Sequence, residues 1–177
     1  MRPPREVPSR DDFYMGMALW YMAKSKDPDT QNGALVISAD NEPLGWGYNG
    51  PPRQIDDDDI DWCREGDITK YDLVDHAEDN AIEYSCSNLE GATIYVSGRP
   101  CPPCMRKIVR AGIKRVVWFP QKVDPNSTLA DEKKIKKTEY IARKGRVKLE
   151  LFSGDLSWMG RHWEFLKQIG VLEWKKS

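Results

Sequence analysis

Two short stretches constrain this chain more than any others: Asp75-His76-Ala77-Glu78-Asp79-Asn80-Ala81 and Arg99-Pro100-Cys101-Pro102-Pro103-Cys104. Between them they hold one of the chain's two histidines and two of its four cysteines. A metal that keeps one position open for chemistry takes three protein ligands, and imidazole with two thiolates is a set that zinc accepts. Any fold must therefore bring His76, Cys101 and Cys104 to one point. Cys101 and Cys104 are three apart, so on one helical turn their thiols point the same way. Pro102 and Pro103 lack N–H donors, which suits a first helical turn. A helix start also favours thiolate, the form that binds metal. His76 is expected at the start of a second helix, running from about Asp75 to Ser87.

Glu78 lies too close to His76 along such a helix to ligate the same ion easily. It is placed instead to carry protons beside the metal. Plainer readings stand alongside. Asp75 and Glu78 have the spacing of a capping box. A lone C-x-x-C is also half of a structural zinc site or a redox pair, with Cys63 or Cys86 as further ligands. The combination, in this order, favours a catalytic zinc.

A chain of 177 residues, 40% hydrophobic and 31% charged, is long enough for one cored domain. We expect a flexible lead over 1–10 and a single domain over 11–177. No run is apolar enough for a membrane helix, and the opening residues lack a secretory apolar segment. Four cysteines, two committed to metal, point to a reducing, cytoplasmic setting. A net charge of −1 argues against a stable nucleic-acid partner.

In chain order, Asp11 or Asp12 caps a helix to about Lys24 whose apolar face is Phe13, Met17, Trp20 and Tyr21. Gly33 to Ser38 and Leu44 to Tyr48 form a hairpin around Asp40-Asn41. Residues 51–74 form a polar insert whose run Asp56–Asp59 is either a solvated loop or a divalent-cation site. Arg53, Arg64 and Lys70 are candidate phosphate contacts. After the His76 helix come a strand at Ala92–Ser97, the cysteine helix ending at Gly112, and a strand at Arg115–Phe119. A charged helix capped by Ser127 or Thr128 follows, closed by Gly145. Then come a strand at Val147–Phe152 and a last helix from Leu156 to Ile169 bearing Trp158, Trp163 and Phe165. Val171–Trp174 extends along the sheet or frays. Helices alternating with strands in this way predict a three-layer α/β/α sandwich on a mixed five-stranded sheet.

The order H-x-E then P-C-x-x-C is a known signature of zinc-dependent nucleobase deaminases. The chain resembles the cytidine and deoxycytidylate deaminase family, nearest its deoxycytidylate (dCMP) branch, from about Phe13 to Trp174. The resemblance rests on Ser25–Ala34, Gly47–Arg53, His76–Ile82, Cys104 and Ala111–Val117. It implies a cytidine deaminase-like fold and one zinc on His76, Cys101 and Cys104. It implies Glu78 as the proton carrier in hydrolysis of dCMP to dUMP and ammonia, supplying dUMP for dTTP synthesis. It places Asn49 and the Ala77 backbone against the substrate. It further implies a hexamer, activation by dCTP with Mg2+, inhibition by dTTP, and regulatory contacts at Lys26, Asp27, Gly47 and Tyr48. Deamination of a base in tRNA or single-stranded DNA is the alternative. That needs a basic, aromatic-lined groove, whereas most of the seven tryptophans fall on patterns that suggest core.

Overall fold

The computed structural model describes residues 5–121 and 131–171. The proposed caps Ser127 and Thr128 and the segment 172–174 lie outside them.

Strand β1 (Gly33–Ile37) is the centre of construction. All five of its residues are buried, which an apolar, β-branched run achieves only when both sheet faces are covered. It pairs antiparallel with β2 (Pro43–Tyr48) around Asn41, whose φ of 70° supplies the turn, and antiparallel with β3 (Thr93–Val96) on its other side. Strands β4 (Arg115–Trp118) and β5 (Lys148–Leu151) then add in parallel. The order is β2-β1-β3-β4-β5, the mixed five-stranded sheet that the sequence predicts.

Because side chains alternate across a strand, the sheet sorts its residues into two cores. Ala34, Val36, Ile94, Val96 and Val116 face one layer, made of α3 (Ala77–Glu83), α4 (Pro102–Arg110) and α5 (Glu132–Lys144). Leu35, Ile37, Tyr95 and Val117 face the other, made of α1 (Arg10–Tyr21) and the approach to α6 (Ser157–Gln168). A short helix, α2 (Lys70–Leu73), sits in the insert. Each fully buried aliphatic side chain contributes about 1.5–3 kcal/mol. Both parallel crossovers place their helix on one face, so the N-termini of α4 and α5 emerge at the same end of the sheet.

Local departures from expectation have physical causes. Helix α1 is capped by Ser9, whose hydroxyl accepts from the Asp12 N–H. Asp11 is spent on Arg115 and Tyr95, and Asp12 accepts from the Asp155 N–H. The helix rests on the sheet through Met15, Gly16 and Ala18, while Phe13 and Trp20 turn outward to meet Trp158 and Trp163 of α6 at 5.6 and 5.8 Å. Trp20 and Trp163 are therefore about half exposed rather than core, as is Trp46 on β2. The described start of α5 is Asp131, which accepts from the Lys133 N–H. At its end the left-handed residue is Arg146, with φ 56°. Gly145 is needed instead because a Cβ there would sit 2.3 Å from Val109 of α4. Helix α3 ends at Glu83, short of Ser87.

Arg115 grips Asp11 with both terminal nitrogens, at 2.8 and 2.7 Å, and also bonds Glu150; Tyr95 donates to Asp11 at 2.6 Å. This ties α1 to β3, β4 and β5. The Arg115 hydrogen bonds hold the Asp11 carboxyl below its ordinary range. At Glu150, burial pushes upward but the bonds from Lys148 and Arg115 win and lower it. A carboxyl lowered in the folded state stabilises above its unfolded pKa and loses that contribution as pH falls through the folded value. We expect the melting temperature to drop below about pH 4, and Asp11→Asn to flatten that drop. Melts at pH 7, 4 and 3 on both proteins check it, and parallel curves would refute it.

Candidate functional site

The site is built from two helix starts. His76 is the N-cap of α3 in extended backbone, φ −73° and ψ 157°. Cys101 is the N-cap of α4, φ −74° and ψ 165°, followed by prolines at the first helical positions. Both residues thus stand just outside their helices, with Cys104 one turn into α4 and buried. His76 Nδ1 lies 3.2 Å from Cys104 Sγ and 3.5 Å from Cys101 Sγ, and the two sulfurs are 3.4 Å apart. Zinc with bonds of about 2.0–2.3 Å at tetrahedral angles sets donor separations of roughly 3.5–3.8 Å. The observed triangle needs only a few tenths of an ångström of opening, so the three residues fit that ion. Among the described residues this is the one group of three such ligand atoms that converges.

The three converging side chains act on one another's protons. The neighbouring Cys104 thiol, then His76, pull the Cys101 thiol well below its ordinary value, while the Cys104 thiol is pushed up. His76 is raised by Cys101 against the opposing effect of burial. Glu78, in the first turn of α3, is 8% exposed. Burial pushes its carboxyl up to about 7, against the pull of His76. Among the described residues no other side chain hydrogen-bonds it, so its oxygens remain available to a bound molecule.

The surrounding loops are pinned by backbone bonds and by one side chain that sequence reading had not singled out. Asn80 Nδ2 donates to the Tyr48 and Gly50 carbonyls at 2.9 and 3.2 Å, and Gly50 and Asp75 exchange hydrogen bonds at 3.1 and 3.0 Å. The asparagine in the H-A-E-x-N run was the available signal. Lys107 of α4 reaches Asp79 of α3 at 2.9 Å, tying the two helices. Gly47 lets β2 lie against α3: a Cβ there would stand 2.4 Å from the Ala77 carbonyl oxygen and 2.5 Å from the Ala81 nitrogen. Gly47→Ala therefore forces α3 to move. We expect a loss of about 1–3 kcal/mol and weakened metal retention, read by a denaturant melt and by metal analysis after dialysis. An unchanged melt would sink this packing account.

Other expected site residues are distributed differently. Asn49 is buried; its amide oxygen accepts from the Asn32 N–H at 2.6 Å and its amide nitrogen donates to the Thr30 carbonyl at 2.8 Å. It braces the loop that ends β2. Lys26 is paired with Asp58 at 2.7 Å, so the acidic run, a one-turn helix over Asp57–Asp59, already has a cation. Tyr48 stacks at 6.4 Å on Trp46. Lys70 is buried against Asp27, with its Nζ 2.8 and 2.9 Å from the two carboxylate oxygens, and also reaches Asp29 at 3.1 Å. Arg64 is bonded to Asp29. Lys70 is thus buried in its ion pair, whereas Arg64 uses only its Nε and keeps its terminal nitrogens at the surface. Arg53 lies over the Tyr84 ring at 3.9 Å, at the far end of α3. Cys63 donates to the Ile68 carbonyl and Cys86 is exposed.

Residues 8–119 match the family model described as the cytidine and deoxycytidylate deaminase zinc-binding region. Among curated relatives, deoxycytidylate deaminase of Homo sapiens is 37% identical over 115 residues, which cover 63% of this chain and 65% of that protein. The probable deoxycytidylate deaminase of Drosophila melanogaster is 34% identical over 134 residues, covering 71% and 66%. The chain thus spans about two-thirds of the length of these relatives. Among solved structures, the dCMP deaminase of cyanophage S-TIM5 in complex with dCMP and dUMP superposes with a TM-score of 0.65 at 23% identity, over 84% of this chain and 100% of that one. This last likeness bears on the fold alone, the cytidine deaminase-like sandwich.

Proposed function

The chain belongs to the cytidine and deoxycytidylate deaminase family, and from that premise we propose that it hydrolyses dCMP to dUMP and ammonia with one zinc ion held by His76, Cys101 and Cys104. The observation that carries the reading is the convergence of those three donors beside a buried Glu78 that no other described side chain engages. Held there by His76, Cys101 and Cys104, zinc would lower the pKa of a bound water and so supply a nucleophile at neutral pH. Glu78 takes a proton from the attacking water, passes it to ring N3, and delivers the second water proton to the departing amino nitrogen. A C4–O bond forms, the C4–N bond breaks, and ammonia leaves. The Ala77 backbone, held in place by Gly47 and Asn80, lines the ring, and Asn49 shapes the sugar side through its loop.

The choice of dCMP is supported by the names of the human and Drosophila relatives and by the nucleotides in the phage complex. The product dUMP would feed dTTP synthesis, and a hexamer, a cytoplasmic setting and control by dCTP–Mg2+ and dTTP belong to the same reading. An effector seated at Lys26 and Asp27 has to displace Asp58 and Lys70.

The test is ammonia release from dCMP, CMP, deoxycytidine and a cytosine- and adenine-containing oligonucleotide, each with and without the two triphosphates. We expect turnover of dCMP, lost on removal of zinc by a chelator and restored by adding it back. Turnover of the oligonucleotide with dCMP inert would replace this reading with the polynucleotide one.

A further inference from the structure

The near-neutral total conceals a sorting of charge. Helices α4 and α5 carry nine basic residues and two acidic ones, against 18 and 26 in the rest of the chain. Their inner faces are core: Met105, Ile108, Thr138 and Ala142 are buried. The cations are therefore forced outward. Along α5, Lys133, Lys137, Tyr140 and Lys144 follow one another at spacings of four, three and four, a single exposed stripe. Between the helices lies a cavity of about 300 Å³ lined by Pro102, Arg106, Lys136, Lys137, Tyr140 and Ile141. Among the described residues no carboxylate lies within 4.0 Å of the charged groups of Arg106, Lys133, Lys137 or Lys144; Lys136 has Glu132 at 3.5 Å. Tyr140 is 54% exposed, with Arg143 and Lys144 5.5 and 5.6 Å from its ring centroid.

We propose that the groove between α4 and α5 binds single-stranded nucleic acid. Phosphates are met by a row of cations that lack acidic partners. An exposed tyrosine among them offers a stacking face to a base, which only an unpaired strand presents. Pro102 at one end of the groove follows Cys101 directly, so the track begins beside the metal ligands. The proposal stands apart from the dCMP reading, since it concerns a surface outside the Glu78 pocket.

The test is fluorescence anisotropy of a labelled thymidine oligomer with the zinc-loaded full chain. Four phosphate contacts predict that affinity falls about 50-fold between 50 and 200 mM salt. Lys133→Glu with Lys137→Glu is expected to weaken binding at least tenfold, and Tyr140→Ala about tenfold, with the melting curve and dCMP turnover unchanged. Three results would overturn the proposal: no salt-dependent binding, equal binding of a duplex or of polyglutamate, or a salt-dependent self-association that the lysine changes abolish. The last would mean that the face takes the acidic remainder of a second copy.

Discussion

Glu78→Gln is expected to lower kcat for dCMP by about 10²–10⁴-fold while the purified variant keeps one zinc per chain. The amide has the same shape and sits in the same buried place, but it cannot accept the water proton. Glu78 is not among the converging donors, so the metal has no reason to leave. Cys104→Ser supplies the contrast, because it removes a thiolate from the triangle and should lose zinc and activity together. The decisive pair of readings is single-turnover rate and bound zinc on the same sample. A Glu78→Gln protein that turns over dCMP at the normal rate would remove the carboxylate from the mechanism.

Lys70→Met is expected to cost about 3–5 kcal/mol of folding stability. The Lys70 and Asp27 side chains are only 3% and 5% exposed. Removing the ammonium leaves a buried carboxylate whose remaining partners are the Asp29 and Thr30 N–H groups and the Asn49 amide. Asp27→Asn in the same chain keeps an oxygen for those N–H groups and removes the unpaired charge, so the double variant should recover much of the loss. Urea unfolding of the two single variants and the double variant measures the coupling. A Lys70→Met chain destabilised by less than about 1 kcal/mol would show that water reaches this pair and that the insert is not fastened by it.

The two cases differ in how far the sequence announced them. The convergence of His76, Cys101 and Cys104 was legible because such donor types at short spacings have few other uses, and each half starts a helix for local reasons: prolines after Cys101, an apolar period after His76. The strands were legible for the same reason, since a run such as Gly33–Ile37 has few other uses. The Lys70–Asp27 pair was not, because nothing local links residues on opposite sides of a hairpin and an insert. Lys70 therefore reads from sequence as one more surface cation. The cap of α1 was misplaced for a related reason: Asp11 and Asp12 have good capping chemistry but are drawn away by Arg115 and by the Asp155 N–H. The outer aromatic face of α1 belongs to the same class, since only packing shows that small residues meet the sheet and large ones meet α6. Charge sorting on α4 and α5 is written in the sequence, yet the whole-chain total of −1 cancels it.

The paired hydrogen bonds between Gly50 and Asp75 close residues 51–74 at a neck. Chain entropy is sensitive chiefly to such a neck, because each doubling of a closed loop adds only about 0.6 kcal/mol. The excursion can therefore be treated as a socket. A foreign module spliced at its outer turn, near the exposed Gly66, would be carried at a fixed address while His76 keeps its place at the other side of the neck. The freedom is confined to that outer turn: a change there leaves the sheet alone so long as Lys70 keeps its grip on Asp27 and Arg64 its bond to Asp29.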